Sequence, residues 1–219
     1  MKKFLLILSA FALSLQVSNA QDQDPKAKAI LDDLSKTTKS YKTIVSEYIF
    51  TSQNKDKKVV EKQNYKVQVK ADKFRLDIPG NTIVCDGKTI WAHNKDANEV
   101  TIKNFDANNE DQLNPSKIFT LYETGFKYKF DKEEKVGAVT YQVISLFPSV
   151  KPEKKKFHTI KLYIDKVKKQ VGKLIMLNRD GTTQTYEIKS FKPNVDLPDA
   201  TFVFDTKGFK PDQITDERD

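Results

Sequence analysis

Most of the chain alternates between apolar and polar residues. In one segment Phe126, Tyr128 and Phe130 alternate with Lys127 and Lys129. Successive side chains of a β-strand point to opposite faces, so this repeat of two is typical of a strand with one buried face. The same pattern, bounded by turn residues, predicts strands at about 43–53, 58–70, 73–78, 82–86, 89–94, 98–103, 126–133, 138–147, 157–165, 171–179, 182–191 and 201–205.

Two segments have helical spacing instead. Asp24 and Pro25 are typical of a helix N-cap and first turn, and apolar residues follow on one face up to about Ser40. These apolar residues are Ala27, Ile30, Leu31, Leu34 and Tyr41. A second, short helix is predicted to start at Asn114-Pro115-Ser116 and to end at Gly125. Its apolar residues are Ile118, Phe119, Leu121 and Tyr122.

Eleven or twelve antiparallel strands in one domain constrain the architecture. Strongly twisted sheets of more than about ten strands tend to curl or close. We therefore expect a mainly β (α+β) fold, in which a curved antiparallel sheet of about 11 strands forms a barrel or half-barrel. The two helices carry apolar stripes that can cover its inner face as a lid. A barrel of this size can hold a ligand, although the same apolar residues could instead fill a closed core.

The segment 71–100 carries the most specific motif. Phe74, Leu76 and Ile78 share one face of a strand that ends at Pro79-Gly80, and the next hairpin reads IVCDGKTIW from Ile83 to Trp91. Asp-Gly is favoured in tight hairpin turns because glycine tolerates a positive φ. This order resembles the outer-membrane lipoprotein carrier (LolA) family, whose pattern is an F-x-W-like pair followed by I-V-x-D-G-K-x-x-W.

The two ends of the chain extend the resemblance. Tyr48-Ile49-Phe50-Thr51 lies where the family has an F-x-Q-type first strand, and residues 200–209 are similar to its A-x-F-x-F-x-x-P-x-G-x ending. The resemblance implies an incomplete β-barrel with a helical lid that carries lipoprotein acyl chains from the inner to the outer membrane. It also implies two partners, an inner-membrane lipoprotein-releasing transporter and an outer-membrane acceptor.

The resemblance also assigns roles to residues. Phe74 matches a cavity-mouth aromatic, Leu76 a cavity Trp, and Ile118 and Phe119 lid positions. Lys70 stands where the family often has an arginine that hydrogen-bonds the lid closed, so Lys70 is the candidate lid latch. Because Lys70 and Leu76 depart from the family pattern, a related lipid or glycolipid carrier and an envelope-stress sensor remain alternatives. The candidate cavity residues are Ile30, Leu31, Leu34, Phe74, Leu76, Ile78, Trp91, Ile118, Phe119, Phe126, Tyr128, Phe130, Leu162 and Ile164.

The first twenty residues predict export. Lys2 and Lys3 precede an apolar run from Phe4 to Val17, and residues 18–20 are small, as a signal peptidase requires. The run is short for a membrane span, and polar residues follow it at once. We expect a signal peptide at 1–20, a single domain at 21–219, and a soluble, monomeric protein in the periplasm.

Charge and reactive residues narrow the function further. The formal net charge of +8 comes from lysines spread along the chain, which fits solvated strand faces and attraction to anionic lipid better than a nucleic-acid partner. The lone Cys85 cannot form an internal disulfide. His93 and His158 are isolated, and Ser145 lacks the glycine elbow of a nucleophile. We therefore expect a binding protein rather than an enzyme, with no cofactor and no metal.

Overall fold

The computed structural model describes residues 24–106 and 121–218. One helix, α1 (Pro25–Lys39), precedes a single sheet of twelve strands. The strands are β1 (Ile44–Gln53), β2 (Val59–Lys70), β3 (Lys73–Ile78), β4 (Asn81–Cys85), β5 (Thr89–Asn94), β6 (Glu99–Asn104), β7 (Phe126–Val136), β8 (Val139–Pro148), β9 (Phe157–Asp165), β10 (Val171–Asn178), β11 (Thr183–Pro193) and β12 (Ile214–Asp216).

The sheet is one continuous, curved and unclosed surface. Its spatial order is β12-β6-β5-β4-β3-β2-β1-β11-β10-β9-β8-β7. The chain therefore builds one half with β1 to β6 and the other half with β7 to β11, and β11 returns to pair with β1. The predicted mainly β fold with an incomplete barrel is confirmed.

Local sequence explains where α1 begins and ends. The Asp24 carboxylate accepts hydrogen bonds from the backbone N–H groups of Lys26 and Ala27, at 2.8 and 3.2 Å. Pro25 fits the first turn because the N–H that it lacks would have no partner inside the helix. Lys39 lies in the last turn, where a positive charge interacts favourably with the negative end of the helix dipole. Among the described residues, no helix has the length and apolarity that a membrane crossing needs.

The prediction of a last strand at 201–205 was wrong. Asp199–Phe202 forms a 3-10 helix after Pro198, and Thr201 donates its backbone N–H to the Pro198 carbonyl. Phe202 is fully buried while Val203 is exposed, so burial of one aromatic produced the alternating pattern. The twelfth strand is instead β12, which pairs in parallel with β6 and is too short for periodicity to show. The predicted helix at 114–125 lies mostly outside the described residues, and its described end is a 3-10 turn at Leu121–Glu123.

Two apolar clusters form the core of the inner face, the face of the sheet on which α1 packs. The α1 cluster joins the helix to β7–β10, and its buried members are Ala27, Ile30, Leu31, Leu34, Tyr122, Ile144, Leu146, Ile160, Leu162, Ile164 and Leu174. The β1–β5 cluster lies on the other half, and its buried members are Ile44, Tyr48, Val67, Val69, Phe74, Leu76, Cys85 and Ile90. Tyr186 packs against both clusters.

Candidate functional site

The strand register shows that the two clusters share one face, because Leu174 on β10 is opposite Tyr186 on β11, and Tyr186 is opposite Phe50 on β1. Residues directly opposite each other in an antiparallel pair lie on the same side of a sheet. Phe74 is opposite Cys85, and Cys85 is opposite Ile90, which carries the inner face from β3 to β5. Phe130 is likewise opposite Ile144, and Ile144 is opposite Leu162, which carries the inner face from β7 to β9.

The structure brings most of the predicted cavity residues to this inner face. Ile30, Leu31, Leu34, Leu162 and Ile164 are buried in the α1 cluster, and Phe126, Tyr128 and Phe130 pack against it half-buried. Phe74 and Leu76 are buried in the β1–β5 cluster, against which Ile78 packs. Ile118 and Phe119 lie outside the described residues.

Trp91 does not join this group. It lies opposite Val84 on β4 and Ile102 on β6, one residue out of phase with Ile90. A shift of one residue moves a side chain to the other face of a sheet. The prediction that Trp91 lines the inner face is therefore corrected: Ile90 occupies that position on β5, and Trp91 belongs to the outer face.

Lys70, the predicted lid latch, contacts the C-terminal segment in this structure. Its ammonium donates to the Leu197 carbonyl and to an Asp199 carboxylate oxygen, each at 3.0 Å. Lys73 lies 3.2 Å from the same carboxylate, and hydrogen bonds from both lysines lower the pKa of Asp199. In this structure Lys70 therefore holds the C-terminal segment, because its parity on β2 points it away from the face that carries Val69.

Four aromatic residues that the sequence analysis did not select as cavity residues form a group at Tyr186, where the two clusters meet. Phe50 stacks on Tyr65 with ring centroids 5.4 Å apart, and its ring lies 5.2 Å from Tyr186. Tyr48 contacts both tyrosines, at 5.4 Å and 5.9 Å. Burial raises the pKa of Tyr186 to about 12, so its hydroxyl stays neutral. Tyr48 and Phe50 are two residues apart on β1 and therefore lie on one face of the strand. This alternation was the feature of the sequence that could have identified them.

The N-terminal end of α1 is attached to the sheet by polar contacts. The second carboxylate oxygen of Asp24 accepts the backbone N–H of Phe130 at 2.9 Å. Lys26 lies over the Phe130 ring, 3.6 Å from its centroid. These contacts lower the pKa of Asp24, mainly through the Phe130 hydrogen bond. The helix start is thus fixed to β7 by one carboxylate that also serves as its cap.

The C-terminal half of α1 is attached through Glu123. This carboxylate accepts hydrogen bonds from the Ser35 hydroxyl and, at 2.9 Å, from the Lys39 ammonium. Partial burial would raise the pKa of Glu123, but the bonds from Ser35 and Lys39 lower it overall. Two contacts to the β9–β10 turn add to this attachment: Lys169 lies 3.3 Å from Asp33, and Gln170 donates to the Tyr41 hydroxyl at 2.7 Å.

A cleft of about 320 Å³ opens where β2 extends beyond the end of β3. Ile78 is the one predicted cavity residue in its wall, and charged side chains make up much of the remainder. The cleft is lined by Glu47, Tyr48, Asn64, Tyr65, Lys66, Asp77, Ile78, Pro79 and Lys189.

The reactive groups that the sequence analysis considered are held in structural contacts. Burial raises the pKa of Cys85 to about 11, so the thiol is neutral. Ser145 donates its hydroxyl to Asp131 at 2.6 Å, and His158 contacts the neighbouring Thr159 hydroxyl at 2.8 Å. The inner face therefore offers apolar and aromatic surface, which suits binding of an apolar molecule.

Comparison with known families agrees with this geometry. Residues 39–205 match the family model of the outer membrane lipoprotein carrier protein LolA. The chain belongs to the LolA family. Members of this family are carrier proteins, and the sheet with its covering helix is a fold of the lipoprotein- or lipid-carrier type.

Individual relatives are distant. An uncharacterized protein of Methanocaldococcus jannaschii is 26% identical over 201 residues, which are 91% of this chain and 57% of the relative, so the chain spans little more than half of that protein. An uncharacterized conserved protein from Thermus thermophilus superposes with a TM-score of 0.56 at 15% identity, over 88% of this chain and 98% of that one. LprF from Mycobacterium bovis gives 0.51 at 13% identity, over 80% and 97%. These likenesses show the fold alone.

Proposed function

We propose that this protein binds the acyl chains of lipoproteins on its inner face and carries them through the periplasm. The observation that supports the proposal is the continuity of the inner face from Phe130 on β7, through Tyr186 on β11, to Ile90 on β5. Half of that face is covered by α1, a separate element whose polar attachments lie near its ends. An acyl chain can therefore occupy the face when α1 moves away.

The energies involved are of similar size. Each buried methylene contributes about 0.8 kcal/mol, so one long acyl chain gains on the order of 10 kcal/mol. The helix buries four apolar residues, Ala27, Ile30, Leu31 and Leu34, and large aliphatic side chains contribute about 1.5–3 kcal/mol each. Exchange of α1 for an acyl chain is thus close to balanced, which suits a carrier that must also release its cargo.

Location and partners belong to the same proposal. The segment 1–20 acts as a cleaved signal peptide that directs the domain to the periplasm. A transporter in the inner membrane delivers the acylated cargo, and an acceptor at the outer membrane receives it. A glycolipid in place of a lipoprotein would use the same inner face, because acyl chains are common to both.

A matched pair of substitutions on β10 tests the binding face. Met176 packs against the α1 cluster, whereas its neighbour Ile175 points to the opposite face of the same strand. We expect Met176→Glu to weaken binding of a fluorescent triacylated lipopeptide by at least roughly ten-fold, because a carboxylate in an apolar site is strongly disfavoured. Ile175→Glu introduces the same charge on the outer face and should leave the affinity close to that of the parent.

Two measurements complete the test. Circular dichroism and thermal unfolding of both variants separate lost binding from lost folding. Equal affinity of parent and Met176→Glu would remove the inner face as the binding site. Mass spectrometry of an organic extract from natively purified protein identifies the cargo: a lipoprotein supports the proposal, a glycolipid supports the related carrier, and a copurifying protein without lipid supports a sensor.

A further inference from the structure

One end of the sheet concentrates positive charge and exposed apolar side chains. Three segments form it: residues 54–60 at the β1–β2 hairpin, 149–156 between β8 and β9, and 179–182 between β10 and β11. We call this surface the basic end. It is separate from the inner face, so its role does not depend on which cargo the protein carries.

Direct contacts make the three segments one surface. The Lys57 ammonium donates to the Thr183 hydroxyl at 3.2 Å, and the Lys55 side chain lies over Gly181. Arg179 donates from its guanidinium to the Pro152 carbonyl at 3.0 Å and from its backbone to the Lys156 carbonyl at 2.9 Å. The hairpin, the turn and the loop are therefore held side by side.

The basic end combines charge with apolar surface. Val59, Val60 and Val150 are 56%, 64% and 52% exposed there. Asp56, Glu153 and Asp180 are its acidic residues. Its eight basic residues are Lys55, Lys57, Lys58, Lys151, Lys154, Lys155, Lys156 and Arg179.

On the side of β3, the hairpin extends beyond the neighbouring strand. β3 pairs only with Lys66–Lys70, so the first half of β2, which carries Val59 and Val60, extends beyond that neighbour. Val59 and Val60 are adjacent and exposed at this end of β2, so they can contact a surface that approaches the basic end. The surrounding lysines keep their ammonium groups in water while their stems lie along an apolar layer.

We propose that the basic end docks the protein on the surface of a bilayer that contains anionic phospholipid. Charge complementarity selects this partner, because a cluster of lysines is attracted to anionic head groups by about 1 kcal/mol per residue. The exposed valines then enter the boundary between head groups and acyl chains, as apolar residues of peripheral proteins do. Docking would hold the carrier beside the membrane while cargo is exchanged.

The opposite end of the sheet provides the comparison. The β9–β10 turn there exposes Val167 by 87% between lysines. Two of the three lysines in this turn pair with carboxylates, however: Lys166 with Glu133 at 2.9 Å and Lys169 with Asp33 at 3.3 Å. Exposure of a valine is thus common to both, and the larger excess of positive charge, eight basic against three acidic residues, distinguishes the basic end from this turn.

The experiment measures binding of the chain 21–219 to vesicles by co-sedimentation. Vesicles of equal parts phosphatidylglycerol and phosphatidylcholine are compared with vesicles of phosphatidylcholine alone, at low and high salt. The test variants are Val59→Ser with Val60→Ser, and Lys55→Gln with Lys58→Gln. The matched control at the opposite end is Val167→Ser with Lys168→Gln.

We expect binding to the anionic vesicles that weakens with salt. The lysine pair should reduce affinity about thirty-fold and the valine pair roughly ten-fold, whereas the control changes it less than about two-fold. A fluorophore at Val60→Cys should shift to the blue on binding, and one at Val167→Cys should not. Cys85 is buried and does not compete for the label.

Three outcomes would overturn the proposal: no binding to anionic vesicles, equal binding to the neutral vesicles, or equal loss in the test and control variants. Affinity for the lipopeptide is measured in parallel. It should be unchanged in the basic-end variants, so failure of membrane docking is distinguishable from failure of acyl-chain binding.

Discussion

The two halves of the inner face are filled by different means. On β7–β10, apolar strand residues pack against α1, an element that polar contacts from Asp24 and Glu123 attach to its surroundings. On β1–β5, the residues of the β1–β5 cluster pack against one another, and the rings of Tyr48, Phe50 and Tyr65 join Tyr186 of β11. The helix α1 can move away from the sheet as a unit, whereas the aromatic residues belong to the strands themselves. Opening of the face should therefore begin at α1.

The largest expected effect is a loss of global stability, which can be compared with a local loosening of α1. Phe74 is fully buried in the β1–β5 cluster, and Phe74→Ala should lower the free energy of unfolding by about 3–5 kcal/mol. Leu34, equally buried, belongs to α1. In Leu34→Ala, hydrogen exchange should accelerate mainly in the amides of α1, because the helix can open without the sheet.

Hydrogen exchange measured by mass spectrometry reads out both variants. If the amides of α1 and β3 accelerate together in Leu34→Ala, the two halves open as one unit and the comparison fails. If the amides of α1 accelerate and those of β3 do not, α1 is the movable part of the inner face.

The second effect concerns Asp24, which both caps α1 and accepts the Phe130 N–H. Asp24→Ala should accelerate exchange of the first turn of α1 by roughly ten-fold, because the helix loses its cap. Asp24→Asn keeps an acceptor oxygen, so it should accelerate exchange less. Retained protection in Asp24→Ala would show that apolar contacts alone hold the helix start.

The sequence predicted which strand residues line the inner face better than it predicted the positions of Trp91 and Lys70. Alternation placed Phe74 and Leu76 on one face because strand parity is a local property. The placement of Trp91 failed because Ile90, Trp91 and Ala92 are consecutive apolar residues, so both faces of this part of β5 look apolar in the sequence. The partner of Lys70 lies 129 residues away in the chain at Asp199, and no local pattern records such a contact.

A local motif predicts a hairpin but not a site that distant strands assemble. The IVCDGKTIW segment predicts the β4–β5 hairpin, and the structure contains this hairpin, with Cys85 opposite Ile90. The aromatic group of Tyr48, Tyr65 and Tyr186 comes from three strands, one of which is distant from the others in sequence. Its assembly depends on the pairing of β1 with β11, which periodicity alone does not predict.

A smaller effect links α1 to pH through Glu123. The folded-state pKa of Glu123 is lowered from 4.5, so its carboxylate stabilises the attachment above that value and loses this contribution as the pH falls through the folded pKa. Exchange of the last turns of α1 should therefore accelerate in acid. Glu123→Gln should show fast exchange already at neutral pH and a weaker pH dependence there.

The expected size is modest because the ion pair with Lys39 is partly exposed, and such pairs contribute less than about 1 kcal/mol. Lys28→Gln is the control, since it removes an ion pair within α1 that does not reach the sheet. Equal pH profiles for parent and Glu123→Gln would assign the acid sensitivity to Asp24 instead.

The smallest effect on α1 is expected from Lys70, which the family resemblance assigned to the lid. Its ammonium contacts Leu197 and Asp199 on the C-terminal segment. Lys70→Arg should therefore leave the hydrogen exchange of α1 unchanged, because neither contact involves the helix. The rate at which bound lipopeptide is released and replaced should also stay the same. Lys70→Met should accelerate exchange of residues 199–203 several-fold, since a hydrogen bond contributes about 1 kcal/mol. Slower cargo exchange in Lys70→Arg would restore Lys70 as a latch and would place the moving part of the carrier on both faces of the sheet.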